Sequence, residues 1–112
     1  MRKIASNLLW TPQGIVRRPL VTFDAEGRVR SVEVCDAPDR EPFTEFFAGL
    51  MVTGFPAAYR EAFDRLQACA DEPLTEALAR IAGCEEGVAV VISGLDYASM
   101  RLTERSSVAR IA

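Results

Sequence analysis

The sequence predicts an α+β domain: a curled, mostly antiparallel β-sandwich or roll built from N- and C-terminal strands, with two helices inserted in the middle. Three observations carry that expectation. β-Branched and aromatic residues interrupted by turn chemistry fill residues 1–56 and return over 87–112. Helical periodicity is confined to residues 57–83. The chain has 112 residues, 49% of them apolar and 26% charged, with a net charge of −3, which suits a single domain over 1–112 with one buried core and argues against disorder.

Lys3 to Trp10 brings Ile4, Leu8, Leu9 and Trp10 into a first strand, and Thr11-Pro12-Gln13-Gly14 has turn composition with proline in second place. Ile15 to Asp24 resumes an extended pattern. Pro19 within it favours an edge position or a bulge, because proline donates no hydrogen bond to the ladder. Asp24-Ala25-Glu26-Gly27 is a tight reversal, and Arg28 to Cys35, with Val29, Val32 and Val34, completes a β-hairpin. Asp36 to Pro42 holds two prolines and four charges and reads as a loop. Phe43 to Phe55 is a second aromatic-rich extended stretch, in which Gly49 and Gly54 mark a bulge or bend.

From Ala57 the period changes. Tyr59, Ala62, Phe63, Leu66 and Ala70 recur at helical spacing, opposite Arg60, Glu61, Asp64 and Arg65. Asp71-Glu72-Pro73 opens a second helix with the apolar stripe Leu74, Ala77, Leu78 and Ile81, and Gly83 stops it. Val88 to Ile92 is a nearly continuous β-branched run, as for a strand covered on both faces, and Ser93 to Asp96 is a turn. Met100 to Leu102 and Val108 to Ile111 are expected to form a final short pair around the polar Thr103 to Ser107.

Several chemistries are excluded at this level. Without histidine the chain builds no histidine triad, no histidine base and no histidine-containing zinc site. Cys35, Cys69 and Cys84 stand far apart with no CxxC pair, and are expected as buried, reduced thiols in a cytoplasmic protein. The N-terminus lacks the pattern of a secretory signal, and Val88 to Ile92 is too short to span a bilayer, so no membrane association is expected. Every basic residue except Lys3 is an arginine, scattered among acids rather than gathered in a block, which argues against nucleic acid as a partner. No carboxylate pair, GxSxG elbow or glycine-rich phosphate loop emerges. No catalytic, cofactor-binding or metal-binding residue is therefore assigned.

The order of several motifs carries a resemblance. Met1-Arg2-Lys3-Ile4-Ala5, Gly14-Ile15-Val16 and Phe23-Asp24-Ala25-Glu26-Gly27-Arg28-Val29 resemble the opening of metal-dependent hydrolases of the amidohydrolase superfamily, of the cytosine deaminase and chlorohydrolase type. Glu45 through Phe55 is similar to their approach to the first barrel strand, which runs into Pro-Gly-Phe-Val-Asn-Ala-His-x-His. Gly94 to Val108 is similar to their closing strands, and Leu74 to Gly83 to the helix before those strands. About two thirds of the chain takes part. The resemblance implies a composite β-sandwich made by the two chain ends, which in that family flanks a catalytic TIM barrel of about 250 residues. Here two helices stand in the barrel's place. Matching Gly54-Phe55 to the family's Gly-Phe sets Tyr59 and Glu61 where the two metal-binding histidines stand, and a phenol and a carboxylate on a helix do not replace two imidazoles on a strand.

The expectation is thus a non-catalytic, metal-independent remnant of such a composite domain, serving as a protein-interaction or assembly module with no cofactor. Loss of a barrel leaves an apolar sheet face to be covered, at about 2.5 kcal/mol per 100 Å². The helices, through Tyr59, Phe63, Leu66, Leu74, Leu78 and Ile81, are the expected cover, with a homodimer or another protein partner as a further one. The alternative is a small-molecule binding module with a pocket between helices and sheet lined by Trp10, Phe47, Met51 and Tyr59. Residual catalysis through Cys35 or Glu61 ranks last. The candidate ligand or interface residues are Trp10, Phe47, Met51, Tyr59 and Phe63.

Overall fold

A computed structural model describes residues 2–34, 44–83 and 87–112. The expected loop Asp36 to Pro42, together with Cys35, Phe43 and Cys84, lies outside the described residues. The elements run β1 (Arg2–Thr11), β2 (Gly14–Arg17), β3 (Pro19–Phe23), β4 (Val29–Val34), β5 (Thr44–Phe55), α1 (Tyr59–Ala68), α2 (Leu74–Ile81), β6 (Val88–Ser93) and β7 (Ser107–Arg110). They form one mixed, largely antiparallel open sheet of order β4-β3-β1-β5-β6-β7, with β2 also pairing β1, and two helices. β1 and β5 are parallel; the other described pairs are antiparallel. N- and C-terminal strands therefore share one sheet, with β5 and β6 between β1 and β7.

The sheet is irregular along one line. β1 pairs with β3 through Arg2–Ala5 and with β2 through Leu8–Thr11, and its register with β5 slips between Ser6 and Leu8. At that level Asn7 occupies β1, Arg18 joins β2 to β3 with φ 53°, and Gly49 sits in β5 with φ 134°. The Gly49 N–H donates to Asn7 Oδ1 at 2.8 Å, and the Arg18 N–H donates to the Asn7 carbonyl at 3.1 Å. Gly49 is obligatory twice over: its φ disfavours any L side chain, and a Cβ there would lie 2.4 Å from the Ile92 carbonyl oxygen.

Strand alternation sorts the core onto two faces. Leu50, Val52, Val90, Ile92 and Trp10 face Ala62, Phe63, Leu66, Leu74, Ala77 and Leu78 of the helices. Met51, Ala89 and Val91 point the other way, into a cluster with Ile4, Leu9, Val21, Phe23 and Ile111. β6 is thus buried on both faces, as its β-branched run predicts. In the second cluster the N-terminal half of the sheet meets the C-terminal segment directly. Arg2 ties the two, donating to the Ile111 carbonyl and pairing with Glu45 at 2.9 Å. A Cβ on Gly27 would lie 3.5 Å from the Ala112 carbonyl carbon, so the β3–β4 turn reaches the same segment.

Two local expectations are corrected. Ile15 to Asp24 is not one strand with an edge proline: it breaks at Arg18, and Pro19 begins an internal strand, where the ladder asks for no donor. Met100 to Leu102 does not pair with Val108 to Ile111. Arg101 bridges Asp96, and β7 pairs with β6. The intervening residues satisfy themselves locally, with the Thr103 hydroxyl (2.7 Å) and the Ser106 hydroxyl (3.0 Å) both donating to the Gly94 carbonyl.

Gly49→Ala is expected to cost at least about 2 kcal/mol, from backbone strain and the clash with Ile92, read as a fall in urea midpoint. Phe63→Asp, which sets a carboxylate against the helix-side core, should cost roughly 3–5 kcal/mol by the same measurement. Unchanged stability in that variant would show that the helices do not cover the sheet.

Candidate ligand and interaction surfaces

The five candidate residues divide between the two faces of the sheet. Trp10, Tyr59 and Phe63 belong to the helix side, Phe63 buried on α1 and Tyr59 half-buried at its first turn. Met51 is fully buried on the opposite side, and Phe47 packs half-buried against that second cluster. The structure therefore does not assemble Trp10, Phe47, Met51 and Tyr59 around one cavity. Phe47 and Met51, four apart in β5, share one side as alternation predicts, whereas the slip at Ser6–Leu8 reverses the parity of β1 and sends Trp10 to the other.

A cleft of about 600 Å³ opens elsewhere, at the ends of β1, β5 and β6. Trp10, Phe23, Val88 and Ala89 supply its apolar lining; Thr11, Thr53, Glu26 and Arg28 supply its polar groups. The backbones beneath it are close-packed, since a Cβ on Gly87 would come within 2.6 Å of the Gly54 carbonyl carbon. Of the candidates read from sequence, Trp10 alone lines it. Glu26 and Arg28 were legible only as turn residues. That the turn folds over the strand ends is a tertiary fact.

This turn is held by Asp24. Its Oδ1 accepts the Arg28 N–H at 2.9 Å and the Glu26 N–H at 3.0 Å, while the Gly27 N–H donates to the Asp24 carbonyl at 3.0 Å. The Arg28 N–H above all, then the Glu26 N–H and the nearby Arg30 and Arg28 charges, hold the Asp24 carboxyl below its ordinary range.

The second surface is the outer edge of the sheet. β4 pairs along one side with β3, Pro19 opposite Val34 and Phe23 opposite Val29, and no described strand pairs its other side. Val29, Val32 and Val34 lie on the face of Phe23, Val21 and Pro19, yet they are 40%, 45% and 64% exposed. Phe46, on β5, is 54% exposed. The valines were legible in the sequence as strand residues; that they share a face, on a strand whose outer side no described strand pairs, was not.

Other chemistry is sparse among the described residues. No group of three or more metal-ligating side chains gathers there, and no described helix is long and apolar enough to cross a membrane. Cys69 is free and half-exposed rather than buried as expected, because it follows the last turn of α1 beside Arg65 and Arg80. Arg80 pairs with Glu72 at 2.7 Å.

Because the Asp24 carboxyl is held low in the folded state, its contribution to stability is complete above the unfolded value near about 3.9 and is lost as pH falls through the lower folded value. The urea midpoint of wild type should exceed that of Asp24→Asn at neutral pH, and the gap should close on acidification. A gap independent of pH would contradict the ionised turn. Comparison of the chain with protein-family models, with curated proteins and with solved structures finds no match in any of the three.

Proposed function

We propose that the chain is a non-catalytic protein-interaction or assembly module that works through the β4 edge. The observation that carries this reading is the valine row. An apolar face that is buried at Pro19, Val21 and Phe23 continues onto β4 and stops there uncovered by any described strand. Natural sheets blunt such edges, and one that carries three exposed valines on a single face is suited to adding a strand from a partner. In this reading the bend at Asn7 and Gly49 makes the sheet a curled β-sandwich or roll, of the kind implied by the resemblance to the composite domain of amidohydrolases. In the match read from the sequence, Tyr59 and Glu61 stand where that family has histidines, and both fall in the first turn of α1, which supports a module without hydrolase chemistry and without a metal.

The cleft supports a second reading, as a small-molecule binding module. Its volume of about 600 Å³ falls within the usual range for ligand sites, and it combines an apolar floor with a carboxylate and a guanidinium at the rim. The occupant would be an amphipathic metabolite, recognised by a rise in melting temperature of wild type that Arg28→Glu removes.

For the first reading, the triple change Val29→Thr, Val32→Thr and Val34→Thr keeps β propensity and shape while making the edge polar. It should leave monomer stability within about 1 kcal/mol and abolish cross-linked species recovered from cells that produce the chain. The same cross-linked species from wild type and variant would refute the module reading.

A further inference from the structure

We infer that the strand completing the β4 edge is β4 of a second copy of this chain, paired antiparallel about a two-fold axis perpendicular to the sheet. The inference rests on the interaction-module reading and names its partner. Three features of β4 select that occupant.

The first is geometry. A two-fold perpendicular to the sheet is the operation that sets two identical strands antiparallel side by side, and it leaves each face on its own side. Val29, Val32 and Val34 of both copies then form one continuous apolar ledge. Their sharing of a face is itself a product of the bulge: the β3–β4 register slips between Thr22 and Phe23, so Arg30 is the extra residue, and Val29 lies on the side of Val32 despite the odd spacing.

The second is charge order. Arg28 and Arg30 lie at the start of the β4 segment and Glu33 towards its end, all three exposed. Antiparallel pairing sets the basic half of one copy against the acidic half of the other. A parallel copy would stack like charge on like, which is destabilising across strands.

The third is the exposure gradient. The valines grow more exposed along the strand, 40%, 45% and 64%, while their partners in β3 are buried. Among the described residues nothing covers the outer side of the strand along its whole length, which an added strand supplies and a side-chain contact at one end does not.

The test uses the full chain in sedimentation equilibrium from micromolar to millimolar concentration, with melting curves to confirm folding. Wild type should be a dimer. Glu33→Arg gives an all-basic edge, and Arg28→Glu with Arg30→Glu an all-acidic one; each alone should weaken dimerisation by roughly tenfold or more. Mixing the two should restore a dimer that contains one of each. Both sets of positions are exposed, so these variants remain informative where the triple valine-to-threonine variant fails to fold. A monomeric wild type at millimolar concentration, a dimer indifferent to the charge changes, or no recovery on mixing would each overturn the second-copy inference. If wild type is monomeric but loses cross-links to another chain when the valines become threonine, the module reading stands and its partner is a different protein. If the cross-links are also indifferent, both fall.

Discussion

The hydrogen bond from the Gly49 N–H to Asn7 Oδ1 marks the point at which the pairing of the sheet slips. β1 and β5 are its two longest strands and lie parallel at its centre. Their register slips at this bond, and the link between β2 and β3 lies beside it, held by the Asn7 carbonyl. A straight β1 would carry Ile4 and Leu9 on opposite faces. The slip puts them in one cluster with Met51 and Ile111, and frees Trp10 to pack towards the helices. The two-sided core is therefore a consequence of one irregularity that the backbone satisfies internally, with a polar side chain replacing the ladder bond the bulge removes.

The helices cover only one side. Phe63, Leu66 and Leu78 close over the C-terminal halves of β1 and β5 and over β6, while the opposite cluster is closed by the chain's own early strands and final residues. Arg2 contributes by position as much as by charge: its guanidinium reaches Glu45 on β5 and the Ile111 carbonyl, joining segments that lie far apart along the chain. The pair with Glu45 is solvent-exposed and adds little by itself. Satisfying a main-chain carbonyl beside a buried isoleucine is the larger service.

Much of this architecture was legible in the residues. The period-two and period-3.6 segments marked the strands and helices, because each buries a face whose spacing is set by local geometry. The hairpin at Asp24 was legible because its turn chemistry is local. What escaped were features decided by distant contacts. The break at Arg18 needs the Asn7 carbonyl opposite it, and the loop after Ser93 needs Thr103 and Ser106 to converge on Gly94. The surfaces were less legible than the fold for the same reason. Trp10, read as lining a pocket, does line the cleft, but Glu26 and Arg28 join it only through the tertiary placement of their turn. Met51, read as lining the same pocket, is sealed inside.

The parallel pairing at the centre of the sheet also has a kinetic meaning. β3 and β4 are neighbours in sequence and can zip through a five-residue reversal, whereas β1 must wait for β5, whose paired residues lie about forty positions downstream. During synthesis β1 can pair with β3 before β5 emerges, so the far side of β1 stays bare until β5 arrives to cover it.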